Sequence, residues 1–70
     1  MKKQIIYITD CIENGERFFS KFKTIETDKT KLLEYGINIA SGWGGECISV
    51  KKNKDQRDVE LVYDYDKEIA

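Results

Sequence analysis

Two thiols, Cys11 and Cys47, and thirteen carboxylates are the side chains best suited to catalysis or metal binding, and the chain has no histidine. Histidine is the usual general acid–base near neutral pH and the commonest metal ligand, so its absence removes most catalytic routes. A cysteine nucleophile needs a basic partner to lower its pKa. A structural zinc site takes four ligands, usually Cys or His, and two thiols cannot fill it without carboxylates. Cys11 and Cys47 therefore read as small, reduced, buried or half-buried residues that function does not need. The expectation is no catalytic residue, no metal and no cofactor.

Among the carboxylates, Glu60, Asp64 and Asp66 fall at even positions of a late alternating segment and would form an acidic strip. Glycosidase-type chemistry needs two carboxylates across a substrate cleft, for which 70 residues leave little room. The strip reads as a solvated face or as an electrostatic surface for a basic partner. Gly42-Trp43-Gly44-Gly45 lacks the Gly-Lys-Ser/Thr ending of a phosphate-binding loop. Trp43 is then either a plug over the open end of the core, the preferred reading, or an exposed recognition anchor. Lys51, Lys52, Lys54 and Arg57 cluster near one turn, and with Phe19, Tyr63 and Tyr65 they suggest nucleic-acid binding. The adjacent acidic strip would repel phosphate. The lysines read better as guards of an edge strand.

These residues need elements to position them. Lys3 to about Ile12 is rich in β-branched and aromatic residues, which suits a strand. Asn14-Gly15 marks a two-residue hairpin turn, and a second strand runs from Arg17 to about Glu26. A helix over residues 16–24 is the rival reading. The hairpin register sets Glu13 opposite Glu16, Cys11 opposite Phe18, Thr9 opposite Ser20 and Tyr7 opposite Phe22. One face carries Ile5, Tyr7, Cys11, Phe18 and Phe22. The other carries Ile6, Ile8, Ile12, Phe19 and Ile25 among charged residues. Monomers rarely expose a large contiguous apolar patch, so Ile6, Ile8 and Phe19 form the first-ranked partner surface, ahead of Trp43 and the acidic strip.

Thr27-Asp28 offers a cap for a helix from Lys29. Leu33, Ile37 and Ala40, flanked by Leu32, Tyr35 and Ile39, give it an apolar stripe. Gly36 interrupts that stripe and either ends the helix or costs about 1 kcal/mol relative to alanine. If the helix continues, Gly42 is its expected C′ residue. A third strand spans Glu46 to about Lys52, with Ile48 and Val50 on one side and Cys47, Ser49 and Lys51 on the other. A fourth spans Asp58 to Asp66, with Val59, Leu61, Tyr63 and Tyr65 facing one way.

The expected fold is a single α+β domain over residues 1–70: two antiparallel β-hairpins around one helix (ββαββ), with the helix on one face of a four-stranded sheet. This order resembles the β-grasp architecture of small immunoglobulin-binding bacterial domains. The resemblance is topological and implies no function.

A domain this small buries only about 60% of its unfolded surface, so dimerisation would be a natural support. The net charge of −1 argues against a general polyanion binder. The apolar stretch Ile5–Ile8 is too short for a signal-peptide core, and no run reaches the length of a membrane span. The expected compartment is the cytoplasm. Lysine outnumbers arginine, isoleucine is abundant and proline is absent, a usage that fits an AT-rich bacterial or phage genome. A free-standing domain beginning at its own methionine fits a small accessory gene. The expected function is non-catalytic binding to a larger protein, as a phage or mobile-element modulator or inhibitor, with a homodimer as another use of the same surfaces. The alternative is a nucleic-acid-binding module, or an acidic protein that occupies a nucleic-acid-binding site; generic nucleic-acid binding is disfavoured.

Overall fold

Asn14 and Gly15 take φ values of 51° and 82°, as a type I′ turn requires. The computed structural model describes residues 3–57 and 60–69, the last two by backbone alone. The turn joins β1 (Ile5–Glu13) to β2 (Glu16–Thr24) in antiparallel register, from Glu13 opposite Glu16 to Ile5 opposite Thr24. Residues 16–24 are strand, not helix. Period-2 alternation then sends Tyr7, Thr9, Cys11, Phe22 and Thr24 to one face, where all five are buried.

Helix α1 (Lys29–Gly42) crosses that face. It starts at Asp28, whose carboxylate accepts from the Thr30 N–H at 2.9 Å, satisfying an otherwise orphan donor. It runs through Gly36 and includes Gly42. Trp43 caps it, and Gly44, at φ 82°, is the left-handed residue beyond. The Gly44 and Gly45 N–H groups donate to the Ser41 and Ala40 carbonyls at 3.0 and 2.9 Å, the paired bonds of a Schellman motif. The C′ glycine is thus Gly44, two residues beyond the expected Gly42.

Strand β3 (Glu46–Lys52) pairs antiparallel with β1 on the side away from β2. A bulge sets Cys11 opposite Cys47 and Asp10 opposite Ser49. It breaks the expected alternation of β3, so that Cys47 and Val50 both meet α1. Strand β4 (Val62–Asp64) pairs parallel with β2, and α2 (Tyr65–Ile69) follows it. The result is a small α+β fold with a mixed four-stranded sheet of order β3-β1-β2-β4.

The expected second hairpin does not form, and the β-grasp-like arrangement is not matched. Strands β3 and β4 lie at opposite edges of the sheet. The segment after β3 folds back on β1 instead. The Asn53 N–H donates to the Ile6 carbonyl at 2.9 Å. The Gln56 amide then brackets Ile6, with Oε1 accepting from its N–H at 2.9 Å and Nε2 donating to its carbonyl at 3.0 Å. Of the expected fourth strand, Asp58 and Val59 lie outside the described residues. Leu61 takes a left-handed φ of 56°, and Tyr65 and Asp66 belong to α2.

The core centres on Tyr7, Phe22 and Leu32, with Ile5, Tyr35, Ile39, Val50 and Tyr65 packed against it. Tyr7 stacks on Phe22 at 5.6 Å between ring centroids, and Tyr35 stacks on Tyr65 at 3.8 Å. Stacking on Tyr35 and a tilted contact with Phe22 hold Tyr65 out of the strand that its spacing suggests.

Leu32, Gly36 and Ala40 form the buried line of α1. A Cβ at Gly36 would sit 2.5 Å from Val50 Cγ2, 3.0 Å from Cys47 Sγ and 3.2 Å from Thr9 Cγ2. The helix therefore rests over the seam between β3 and β1, at a separation that only glycine allows. Gly36→Ala should lower stability by about 1–2 kcal/mol, because overpacking outweighs the gain in helix propensity. Gly42→Ala, with nothing within 4 Å, should instead be neutral or stabilising. Urea unfolding of both variants checks the contrast.

Candidate interaction site

Helix α1 sits over the β1 and β3 half of the sheet, and Tyr35 and Tyr65 cover Phe22 of β2, which leaves the Phe18–Ser20 end of β2 less covered beside it. A groove of about 860 Å³ runs there, between α1 and β4. Phe18 and Ser20 of β2 and Tyr63 of β4 line its floor, Asn38 and Ile39 of α1 form one wall, Tyr65 closes one end and Trp43 stands at the other. Leu61 lies at its rim and is exposed.

Local structure places Trp43. The Schellman bonds fix the backbone on both sides of it, and the side chain is 69% exposed. It does not plug the core, which corrects the preferred sequence reading. On the far side of Trp43 lies a second, polar hollow lined by Glu13, Glu16, Arg17 and Phe18. Glu13 and Glu16 are directly opposed across the hairpin, and like charges so placed are destabilising. Arg17 is paired with Asp10. The hollow therefore favours a cation beside an apolar groove.

The other surfaces expected from sequence are distributed differently. Ile6 is buried and Ile8 is half-buried, so the hairpin's outer face exposes less apolar area than its pattern suggests. Phe19 remains 64% exposed on that face, beside the Arg17–Asp10 pair. It lies at the groove's lip, the one point where the first-ranked patch meets Trp43.

The acidic residues do not form a strip. Glu60 is exposed in the turn before β4. Asp64 and Asp66 converge on Gln4, whose Nε2 donates to them at 2.9 and 3.0 Å. Asp66 also accepts from Thr24 Oγ1 at 2.7 Å and from the Ile25 N–H at 2.9 Å. Both are half-buried and latch the C-terminal segment to the end of the sheet. Burial alone would raise the Asp66 pKa, but the hydrogen bonds from Thr24, Gln4 and Ile25 hold it below the ordinary carboxyl value.

Cys11 and Cys47 face each other across β1 and β3, and both thiols are free. Burial pushes the Cys47 thiol up, reinforced by Cys11 and Asp10 and opposed by the Ser49 backbone. A raised pKa disfavours the thiolate, the opposite of nucleophile activation. Burial, then the charges of Glu26, Tyr65, Asp66 and Glu34, likewise raises Tyr35. Among the described residues no group of three or more His, Cys, Asp or Glu could hold a metal ion. Cations and carboxylates alternate on the surface, with Lys23 3.9 Å from Asp64 and Arg57 4.0 Å from Asp55. No described helix is long and apolar enough to cross a membrane.

No protein-family model, curated protein or solved structure matches the chain.

The latch has a pH signature. A carboxyl with a depressed folded pKa contributes stability that is present above its unfolded pKa and is lost as pH falls through the folded value. Asp66→Asn should cost about 1–2 kcal/mol near pH 7, through loss of charge-assisted hydrogen bonds. The gap to wild type should close as pH drops below the ordinary carboxyl range. Denaturant unfolding of both proteins across the acid range reads it directly.

Proposed function

We propose that this chain is a non-catalytic binding module that docks on a larger protein and modulates or inhibits it. The occupant of the groove is an amphipathic helix of that partner, with apolar side chains directed into the groove and a basic residue beside Trp43. The observation that carries this reading is the juxtaposition of an apolar groove, an exposed tryptophan at its end and an opposed glutamate pair just beyond. A two-layer fold covers its sheet with helices. Here the apolar lining beside α1, at Phe18 of β2 and Tyr63 of β4, offers a place for a helix of the partner. Aromatic residues in partly enclosed sites dominate binding energy, whereas rim charges steer association and set register.

The reading separates by variant. Wild-type protein as bait in a lysate of its own host should retain one partner that Trp43→Ala and Phe18→Ala lose. Each loss should be at least about 30-fold in affinity, the scale of a hot-spot residue. The Glu13→Lys, Glu16→Lys double variant should slow association and reduce its salt dependence. Asp55→Asn, exposed in the turn after β3 at the opposite edge of the sheet, should bind as wild type does. A partner retained equally by all groove variants would overturn the assignment.

A further inference from the structure

We propose that the outer edge of β3 pairs with the same edge of a second copy across a two-fold axis at Ser49, giving an antiparallel dimer with a continuous sheet. This surface is separate from the groove and does not depend on its reading. Among the described residues no strand pairs with that edge, which is seven residues long.

The charge pattern of the edge is self-complementary in one register. In its pairing with β1, Ser49 lies opposite Asp10, Lys51 opposite Ile8 and Glu46 opposite Ile12. The bulge at Cys47–Ile48 counts as one position, so Glu46 and Lys51 are equally distant from Ser49 and on the same face of the sheet. A two-fold axis at Ser49 sets Glu46 against Lys51 of the second copy, twice. Both residues are exposed. Bulges and edge lysines ordinarily discourage strand addition. Here they reject other registers, while Glu46 answers the lysine in this one.

The helix adds a second, independent observation. Gly36 lies against Cys47 and Val50, the positions on either side of Ser49, and against Thr9 of β1. Helix α1 is therefore centred over the proposed axis and about half a strand spacing inboard of the edge. With strands about 4.8 Å apart, the two helices of the dimer would lie about 8–10 Å apart, the spacing at which helices pack. Leu33 and Ile37 occupy the flank of α1 that would meet its copy, and Ile37 is 48% exposed. Exposed Ile48 and half-buried Val50 would face each other beneath them.

Sedimentation equilibrium of the full chain tests this. Wild type should be largely dimeric at about 100 μM, as a micromolar Kd requires. Glu46→Lys sets lysine against lysine twice and should weaken the dimer about tenfold or more. The Glu46→Lys, Lys51→Glu double variant should restore it to within about threefold, because both pairs are complementary again. Ile37→Asp should give monomer with unchanged far-UV circular dichroism. If Ile37→Asp unfolds, the charge swap still decides. Trp43→Ala should leave the dimer intact. A wild type that stays monomeric at that concentration overturns the proposal. So does a dimer indifferent to Glu46→Lys, or one lost with Trp43→Ala.

Discussion

The contact on which this molecule depends is the approach of Gly36 to Thr9, Cys47 and Val50. A helix over the centre of a four-stranded sheet would cover both halves partly. Glycine at this position lets α1 settle against β3 and β1, with Leu32 and Ala40 following it into the core. The displacement has two consequences. Toward β2 and β4 it leaves an open apolar groove. Toward the β3 edge it turns Leu33 and Ile37 outward. The same off-centre seat thus creates both surfaces to which roles are assigned here.

The sheet must tolerate that asymmetry, and its C-terminal segment does much of the work. Strand β4 is only three residues long, too short to hold by backbone pairing alone. Tyr65 packs against both Phe22 and Tyr35, while Asp64 and Asp66 grip Gln4, Thr24 and Ile25. The carboxylates that look in sequence like an outward acidic face are spent on holding the chain. Gln56 does the same for the segment after β3, its side-chain amide taking the place of a paired backbone.

Local signals were enough for the first half of the fold. Asn14-Gly15 fixes the β1–β2 register residue by residue, and Asp28 marks the helix start. The bounds of β3 also follow from its flanking glycines and polar turn. The fourth strand does not follow, because the fit of Tyr65 against Phe22 and Tyr35 is nonlocal. Of the alternation Leu61, Tyr63, Tyr65, only Tyr63 is in strand, with Leu61 in a turn and Tyr65 in α2. The groove is legible only in pieces. Phe18 and Trp43 stand out in sequence, but their neighbourhood depends on where α1 ends and how far it is displaced. The available signal was the small-residue line Gly36 and Ala40 within the apolar stripe of the helix. Such a line marks close backbone approach rather than a break.

The off-centre seat of α1 is open to direct measurement in solution. In a nuclear Overhauser spectrum, the Gly36 Hα protons should show strong cross-peaks to the Thr9 and Val50 methyl groups, with Tyr35 and Tyr65 ring protons also in contact. Cross-peaks from Gly36 to Ser20 or Phe22 in place of those to Thr9 and Val50 would centre the helix over β2. That result would close the groove, withdraw Ile37 from the β3 edge, and contradict the account.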